Sequence, residues 1–418
     1  MNKGWKIGRV GELIDSLESG ISVNGEDGTP SNDDYAVLKV SAVTYGKFNP
    51  KASKRITGSE LRRAKCTPKK GQIIISRSNT PDFVGASCYV TEDYPNRFLP
   101  DKLWQTVPHP DKEVEHKWLA YFLASPWARF RLSKLATGTS NSMKNITKSE
   151  LMTLPVQIPP FLEQKRIASF LECWDNAIEK TEVLIAAKEK QFEWLCQMYF
   201  KPGNTINSEW KKHQIKSFVR TRNEREVPSD EAPLYSLTIE NGVTAKTDRY
   251  NREFLVTDKE VKKYKIVYPQ DIVFNPAYLR WGAIARSEVE HKVTVSPIYE
   301  VLKVNTSKID SDFLTHALTC SRQISIFSTM VEGTLVARMA VKIDTFLNCH
   351  IYVPNSQEEQ KRIAQVLNLS KKEINLLKNT LEQYRIQKHG LMQKLLTGEW
   401  QVGGSHLVTE DMYQEEIV

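Results

Sequence analysis

The six residues Glu163-Gln164-Lys165-Arg166-Ile167-Ala168 recur 196 positions later as Glu359-Gln360-Lys361-Arg362-Ile363-Ala364. The residues after each copy constrain the fold more than the identity itself. Ile167, Leu171, Trp174, Ile178 and so on to Tyr199 step by 4, 3, 4, 3, and Ile363, Leu367, Ser370, Ile374 and so on to Leu395 repeat those steps in the same register. A seven-residue repeat of this kind is the seam of a coiled coil. Two matched long helices half a chain apart predict an internally duplicated molecule with approximate twofold symmetry. The seam is imperfect, because Thr181, Lys188, Ser370 and Lys388 occupy core positions. Polar residues there weaken a pair but help to fix its register.

Around the helices the chain divides into two blocks. The 418 residues, 40% of them hydrophobic, suffice for two globular domains and connecting elements. The expected order is a first block over 1–158, a first helix over 159–201, a second block over 202–354, a second helix over 355–400 and an acidic tail over 401–418. Pro159-Pro160 stops any helix running in from the first block. Ser356-Gln357-Glu358-Glu359 reads as a capping box opening the second helix. At about 1.5 Å per residue, roughly 40 residues make a rod about 60 Å long, able to hold two domains at a set distance.

The duplication extends into the blocks. Trp5-Lys6 opens one and Trp210-Lys211 the other. Gly71 to Ile75 and Gln270 to Phe274 read as matched strands, each with a polar loop after it, a Gly-Ala pair (Gly85-Ala86, Gly282-Ala283) and another strand. Next come helical stretches around 115–134 and 311–330, then Gly138-Thr139 and Gly333-Thr334, then extended segments from Leu154 to Pro159 and from His350 to Pro354. The fold class is α+β: two mixed α/β domains joined by two long helices.

Charge and composition narrow the function. Of the net +8, residues 1–160 carry +7, 161–200 carry −2, 201–356 carry +4, 357–400 carry +3 and the tail −4. A positive surplus on the blocks is compatible with a polyanionic partner. The six cysteines form no CxxC pair, which argues against structural zinc and disulfides and suits a reducing, cytoplasmic setting. No apolar run approaches the ~20 residues of a membrane span, and the start of the chain has no signal-peptide pattern.

Two motifs have a catalytic look. Asn275-Pro276-Ala277-Tyr278 resembles the base-binding motif of amino-methyltransferases, but no glycine-rich cofactor loop accompanies it, and a strand end with a turn explains it equally. Pro100-Asp101 with Glu115-His116-Lys117 superficially matches a nuclease pattern, yet Glu115 and Lys117 abut an apolar run and read as a helix start. The histidines are dispersed, and no nucleophile elbow or P-loop is present. No catalytic residue, metal site or cofactor is assigned to the chain. A binding role is favoured.

The candidate contacts to a polyanion such as a nucleic acid lie on polar, cationic loops at equivalent places in the two blocks. The first loop supplies Arg77, Ser78 and Asn79 in one block and Asn275, Tyr278, Arg280 and Trp281 in the other. The second supplies Asn141, Ser142, Lys144 and Asn145, and correspondingly Arg338 and Lys342. Arg and Asn pair with guanine and adenine edges; Ser, Thr and Lys suit phosphates. Solvated turns are the simpler alternative. Lys51 to Arg55 and Arg62 to Lys65 are phosphate contacts or a solvated face. On the helices Phe170, Trp174, Phe192 and Trp194, with Leu391 and Leu395, are candidates for a partner-facing apolar strip, against an intramolecular core.

From residue 4 to about residue 400 the chain resembles the specificity subunits of type I restriction–modification systems. The resemblance rests on the doubled E-Q-K-R-I-A opening of a helix and on the ending Gly390-Leu391-Met392-Gln393-Lys394-Leu395-Leu396-Thr397-Gly398; the first helix ends more divergently. It implies two target recognition domains, each reading one half of a split double-stranded DNA sequence. It implies an antiparallel coiled coil that separates them and docks two methyltransferase subunits, with restriction subunits joining through these. S-adenosylmethionine, ATP and Mg2+ then belong to the partners. A self-sufficient methyltransferase or nuclease–methyltransferase fusion lacks its cofactor motif here, and a scaffold without DNA binding would not require basic blocks.

Overall fold

The computed structural model describes residues 4–44, 46–140, 143–201, 210–245, 263–333 and 339–402. It divides into two compact units, Met1–Lys180 with Leu381–Val418, and Thr181–Thr380. Each unit therefore holds one block and the helical stretches packed on it.

At the centre of the first unit is an antiparallel four-stranded sheet in the order Ile14–Ser19, Leu103–Pro108, Ile73–Ser76, Ser87–Tyr89. Ile73-Ile74-Ile75 is fully buried because it has a neighbour on each edge and a core on each face. Alternation along a strand splits the run. Ile73 and Ile75 face a core holding Trp118, Leu119, Leu132, Ile167 and Leu171, whereas Ile74 joins Leu38, Cys88, Val90 and Leu99. The second unit repeats this with Val219–Thr221, Glu300–Val304, Ile272–Phe274 and Ile284–Arg286. Ile272 and Phe274 face the core built with Phe313 and Ile363, and Val273 faces Val267, Val293 and Val301.

The block ends also correspond. Lys6–Arg9 pairs antiparallel with Pro155–Ile158, and Lys211–Gln214 with His350–Val353. Each helical stretch expected from the sequence is two helices, His116–Ala124 with Pro126–Leu135, and Ser311–Thr319 with Ser321–Thr329. Ser125 is extended and caps the second helix of its pair while Pro126 starts it, a position that needs no N–H.

The long helices run Phe161–Phe200 and Gln357–Leu396. All seam positions from Ile167 to Tyr199 and from Ile363 to Leu395 are buried or half-buried. Burying each large apolar member stabilises the pair by roughly 1.5–3 kcal/mol. The helices are antiparallel: Asp175 meets Lys388, and further along Lys188 meets Glu373 at 2.8 Å. The two seam lysines are thus ion-paired to the opposite helix rather than buried alone. Lys388 also lies over the Tyr121 ring, 5.3 Å from its centroid, and the Tyr121 hydroxyl donates to Asp175 at 2.6 Å. Burial beside that carboxylate pushes the Tyr121 hydroxyl well above its usual range.

The repeated Glu-Gln pair is explained by contacts that recur in both units. The Trp5 indole donates to Glu163 at 2.9 Å, and the Trp210 indole to Glu359 at 3.2 Å. Gln164 accepts from the Glu115 amide at 3.0 Å and donates to the Pro159 carbonyl at 2.9 Å. Gln360 accepts from the Asp310 amide at 2.8 Å and donates to the Pro354 carbonyl at 3.1 Å. One side chain thereby satisfies two backbone groups beside a helix start. The capping box at Ser356 is modified accordingly. Its hydroxyl accepts from the Glu358 and Glu359 amides, but the Glu359 carboxylate is engaged by Trp210.

Candidate nucleic-acid interface

In the first unit the two candidate loops meet in one small sheet. Ser78–Asn79 pairs with Met143–Asn145, which pairs with Thr137–Ser140. A further backbone bond joins the Ile146 amide to the Arg77 carbonyl at 2.9 Å. Arg77 is half-buried; its amide donates to the Lys102 carbonyl, and its Nε is buried without a hydrogen-bond partner. Asn79 Oδ1 accepts from the Thr80 amide at 2.8 Å and Nδ2 donates to Ser76 at 3.3 Å, so its amide is oriented before any ligand arrives. Lys144 is half-buried and donates to the Gly138 carbonyl at 2.8 Å, while Asn145 is exposed. Ser78 is 3% exposed in the short strand paired with Met143–Asn145, so it offers a ligand little surface. Asn141 and Ser142 lie outside the described residues.

The second unit ties its loops in the same way, the Val341 amide donating to the Pro276 carbonyl at 3.0 Å. Asn275 is buried, and its Oδ1 accepts from the Ala277 amide at 3.1 Å. Its side chain is thereby committed to building the turn. That use also explains the Asn-Pro-Ala-Tyr motif as local structure. The turn continues into the helical turn Leu279–Trp281, closed by Gly282 at φ 92°, which favours glycine. The turn presents Tyr278 and Trp281, both about half exposed, with ring centroids 5.4 Å apart. Arg280 lies over the Trp281 ring at 4.0 Å, and its Nη1 is 3.7 Å from Met339 Sδ. A guanidinium held between a ring and a thioether is pre-oriented for a planar partner. Lys342 is paired with Glu332 at 2.7 Å, and Thr345 also donates to that carboxylate at 2.9 Å. The ion pair raises the Lys342 ammonium and holds Glu332 low. A phosphate at Lys342 must compete with this carboxylate. Arg338 lies outside the described residues.

Other sequence candidates are more constrained. Lys54 pairs with Asp27, Arg55 with Asp34 and Arg63 with Glu60, so those cationic stretches are partly neutralised, while Lys51 and Arg62 stay exposed. Glu115 caps a helix by accepting from the Lys117 amide, and Lys117 pairs with Glu172, which accounts for the nuclease-like residues structurally. On the long helices Leu395 is 3% exposed inside the first unit's core. Phe170 and Leu391 pack partly buried against that core, Trp174 meets Tyr384 edge-on, and Phe192 packs against His316. Trp194 is different: it is 59% exposed. On the same helices Leu184, Val366, Leu369 and Leu376 are also exposed, at positions the seam pattern did not single out. Among the described residues, no helix is long and apolar enough to cross a membrane.

Residues 2–188 match the family described as the type I restriction modification DNA specificity domain. The chain is 26% identical over 170 residues to the type I restriction enzyme EcoEI specificity subunit of Escherichia coli, a match covering 40% of this chain and 28% of that one. It is 21% identical to the putative type I restriction enzyme MjaX specificity subunit of Methanocaldococcus jannaschii, over 95% of this chain and 94% of the relative. In fold it is similar to the crystal structure of a type I restriction–modification S subunit from M. genitalium, with a TM-score of 0.62 at 16% identity over 94% of this chain and 96% of that one. The duplicated α+β units, the long helices and these likenesses agree: residues 2–188 match the type I restriction modification DNA specificity domain, and the chain as a whole is similar to type I restriction–modification specificity subunits.

Proposed function

We propose that the chain is the DNA-reading, non-catalytic subunit of a type I complex, and that each unit reads one half of a split, asymmetric target in double-stranded DNA. The observation that carries the proposal is the recurrence in both units of two polar loops joined by a backbone bond, Ile146 to Arg77 and Val341 to Pro276. Joining the loops gives each unit one cationic surface instead of two separate turns. In the first unit Arg77, Asn79 and Asn145 supply base-edge contacts and Lys144 a phosphate contact. In the second Arg280 suits guanine, and Tyr278 and Trp281 offer apolar contact to thymine methyl groups. The coarse identity as a specificity subunit supports this assignment of roles.

Under the same proposal the coiled coil docks two methyltransferase subunits, and restriction subunits join through them. Trp194 with Leu184, Val366, Leu369 and Leu376 is the apolar surface that suits such docking. The assembled complex then acts as a site-specific deoxyribonuclease and adenine methyltransferase in the cytoplasm. The methyl donor, ATP and Mg2+ belong to the partner subunits. Mapping methylated adenines across the genome of cells with and without this chain tests the reading. One bipartite motif that disappears with the chain is expected; an unchanged methylation pattern would refute it.

A further inference from the structure

The helix Pro126–Leu135 has an unusual exposed face. Trp127, Phe130, Arg131 and Lys134 fall at i, i+3, i+4 and i+7, one side of the helix. Trp127 is 42% and Phe130 60% exposed, and Arg131 and Lys134 are exposed as well. Each cation lies over the ring one turn before it, Arg131 over Trp127 and Lys134 over Phe130, both at 5.5 Å. Trp127 is steadied from below by Phe122, at a centroid distance of 5.8 Å. The helix has no acidic residue. Its counterpart Ser321–Thr329 has one basic residue and no exposed ring, so the face belongs to the first block alone.

The helix is also fixed to both candidate loops of its unit. The buried Arg129 donates to the Val84 and Asp82 carbonyls, each at 2.6 Å, just beyond the first loop. Gly85, at φ 72°, packs closely on Leu132, where a Cβ would lie a tight 3.0 Å away. At its other end Leu135 leads within two residues into the strand Thr137–Ser140 of the second loop.

Resting on the reading of these loops as DNA contacts, we propose that this helix face is a further DNA contact of the first block. Arg131 and Lys134 meet backbone phosphates, and Trp127 and Phe130 lie against the sugar–phosphate wall of the groove. Charge decides the occupant: an acid-free, cationic face in a segment carrying +7 over residues 1–160 complements a polyanion better than an ordinary protein surface. The contact adds affinity without reading sequence.

The test compares the full chain with the Arg131→Gln/Lys134→Gln double variant, assembled with its methyltransferase subunits, on a labelled duplex holding the mapped target and on an unrelated duplex. Log affinity is measured against log salt. Loss of two phosphate contacts lowers the slope by about 1.8 on both duplexes, with the methylated sequence unchanged. Trp127→Ala/Phe130→Ala weakens binding on both duplexes without that change of slope. An unchanged slope in the double variant beside a steep wild-type slope overturns this proposal alone. Unchanged DNA binding with weakened retention of methyltransferase subunits overturns it in favour of a protein-binding face. A wild-type assembly that shows no salt-dependent binding overturns both this proposal and the reading beneath it.

Discussion

Gln164 accepts a hydrogen bond from the Glu115 amide at 3.0 Å across 49 residues of chain, and its own amide group donates to the carbonyl of Pro159 at 2.9 Å. The contact ties the long helix to the first turn of His116–Ala124, and Gln360 repeats it with Asp310 and Pro354. Replacing Gln164 with Leu keeps the volume but leaves a half-buried backbone donor and a buried acceptor without partners. At about 1–3 kcal/mol for each such group, a loss of about 2–6 kcal/mol is expected. Denaturant unfolding of the Gln164→Leu chain measures it, and Gln360→Leu should behave alike. A loss below about 0.5 kcal/mol in either would show the motif to be dispensable to folding.

His316 supplies a pH-dependent term in the second unit. It is buried, with Nε2 2.7 Å from Asn368 Oδ1 and the Phe192 ring against it. Burial lowers its basicity below the ordinary value of 6.5; Lys371 and Arg286 push the same way, against Asn368 and Asp312. The unfolded chain therefore binds a proton more readily than the folded one. The stability from this group is full above pH 6.5 and falls as pH drops below that value. Melting temperatures from pH 7.5 down to about 5 should fall more steeply for the wild type than for His316→Gln. Parallel curves would contradict this.

The long helices were the most legible part of the sequence, because a seven-residue period survives whatever the blocks do. Even Lys188 and Lys388 stood out as seam residues. Their ion pairs with Glu373 and Asp175 did not, since those depend on which residues an antiparallel partner brings alongside. The strand pattern of Ile73 to Ile75 and Ile272 to Phe274 was equally plain. The correspondence of the candidate loops between the blocks was legible, and the surroundings of their single residues were not. Ser78 and Asn275 are polar in polar loops, which reads as surface. Strand pairing buries the first and a turn recruits the second, and both depend on backbone bonds between distant segments. The face of Trp127, Phe130, Arg131 and Lys134 carries a sequence signal in its helical spacing. That signal is hidden while 115–134 reads as one helical stretch, because the break at Ser125 decides which face points outward.

If the helices set the distance between half-sites, shortening one should change the spacer. Deleting Thr181 to Ala187 preserves the seven-residue register and removes about 10.5 Å of rise, equivalent to about three base pairs. Methylation on targets with graded spacers should shift to a different spacer with both half-sites unchanged, or be lost if methyltransferase docking is lost. A two-residue deletion should do worse, because it turns the seam by about 160° and exposes its apolar side chains. A folded, active seven-residue deletion that retained the original spacer would refute the spacing role.

The central claim is that each unit reads its own half of the target, and a block exchange tests it most directly. The segment from Trp5 to Pro155 is replaced with the equivalent block of a related specificity subunit, leaving the second block and both long helices intact. Methylated bases are then mapped genome-wide in cells carrying the chimera and its methyltransferase subunits. Independent reading by the two units predicts a new sequence in one half-site, with the other half-site and the spacer retained. A chimera that methylates efficiently but has altered both half-sites, or neither, would contradict it.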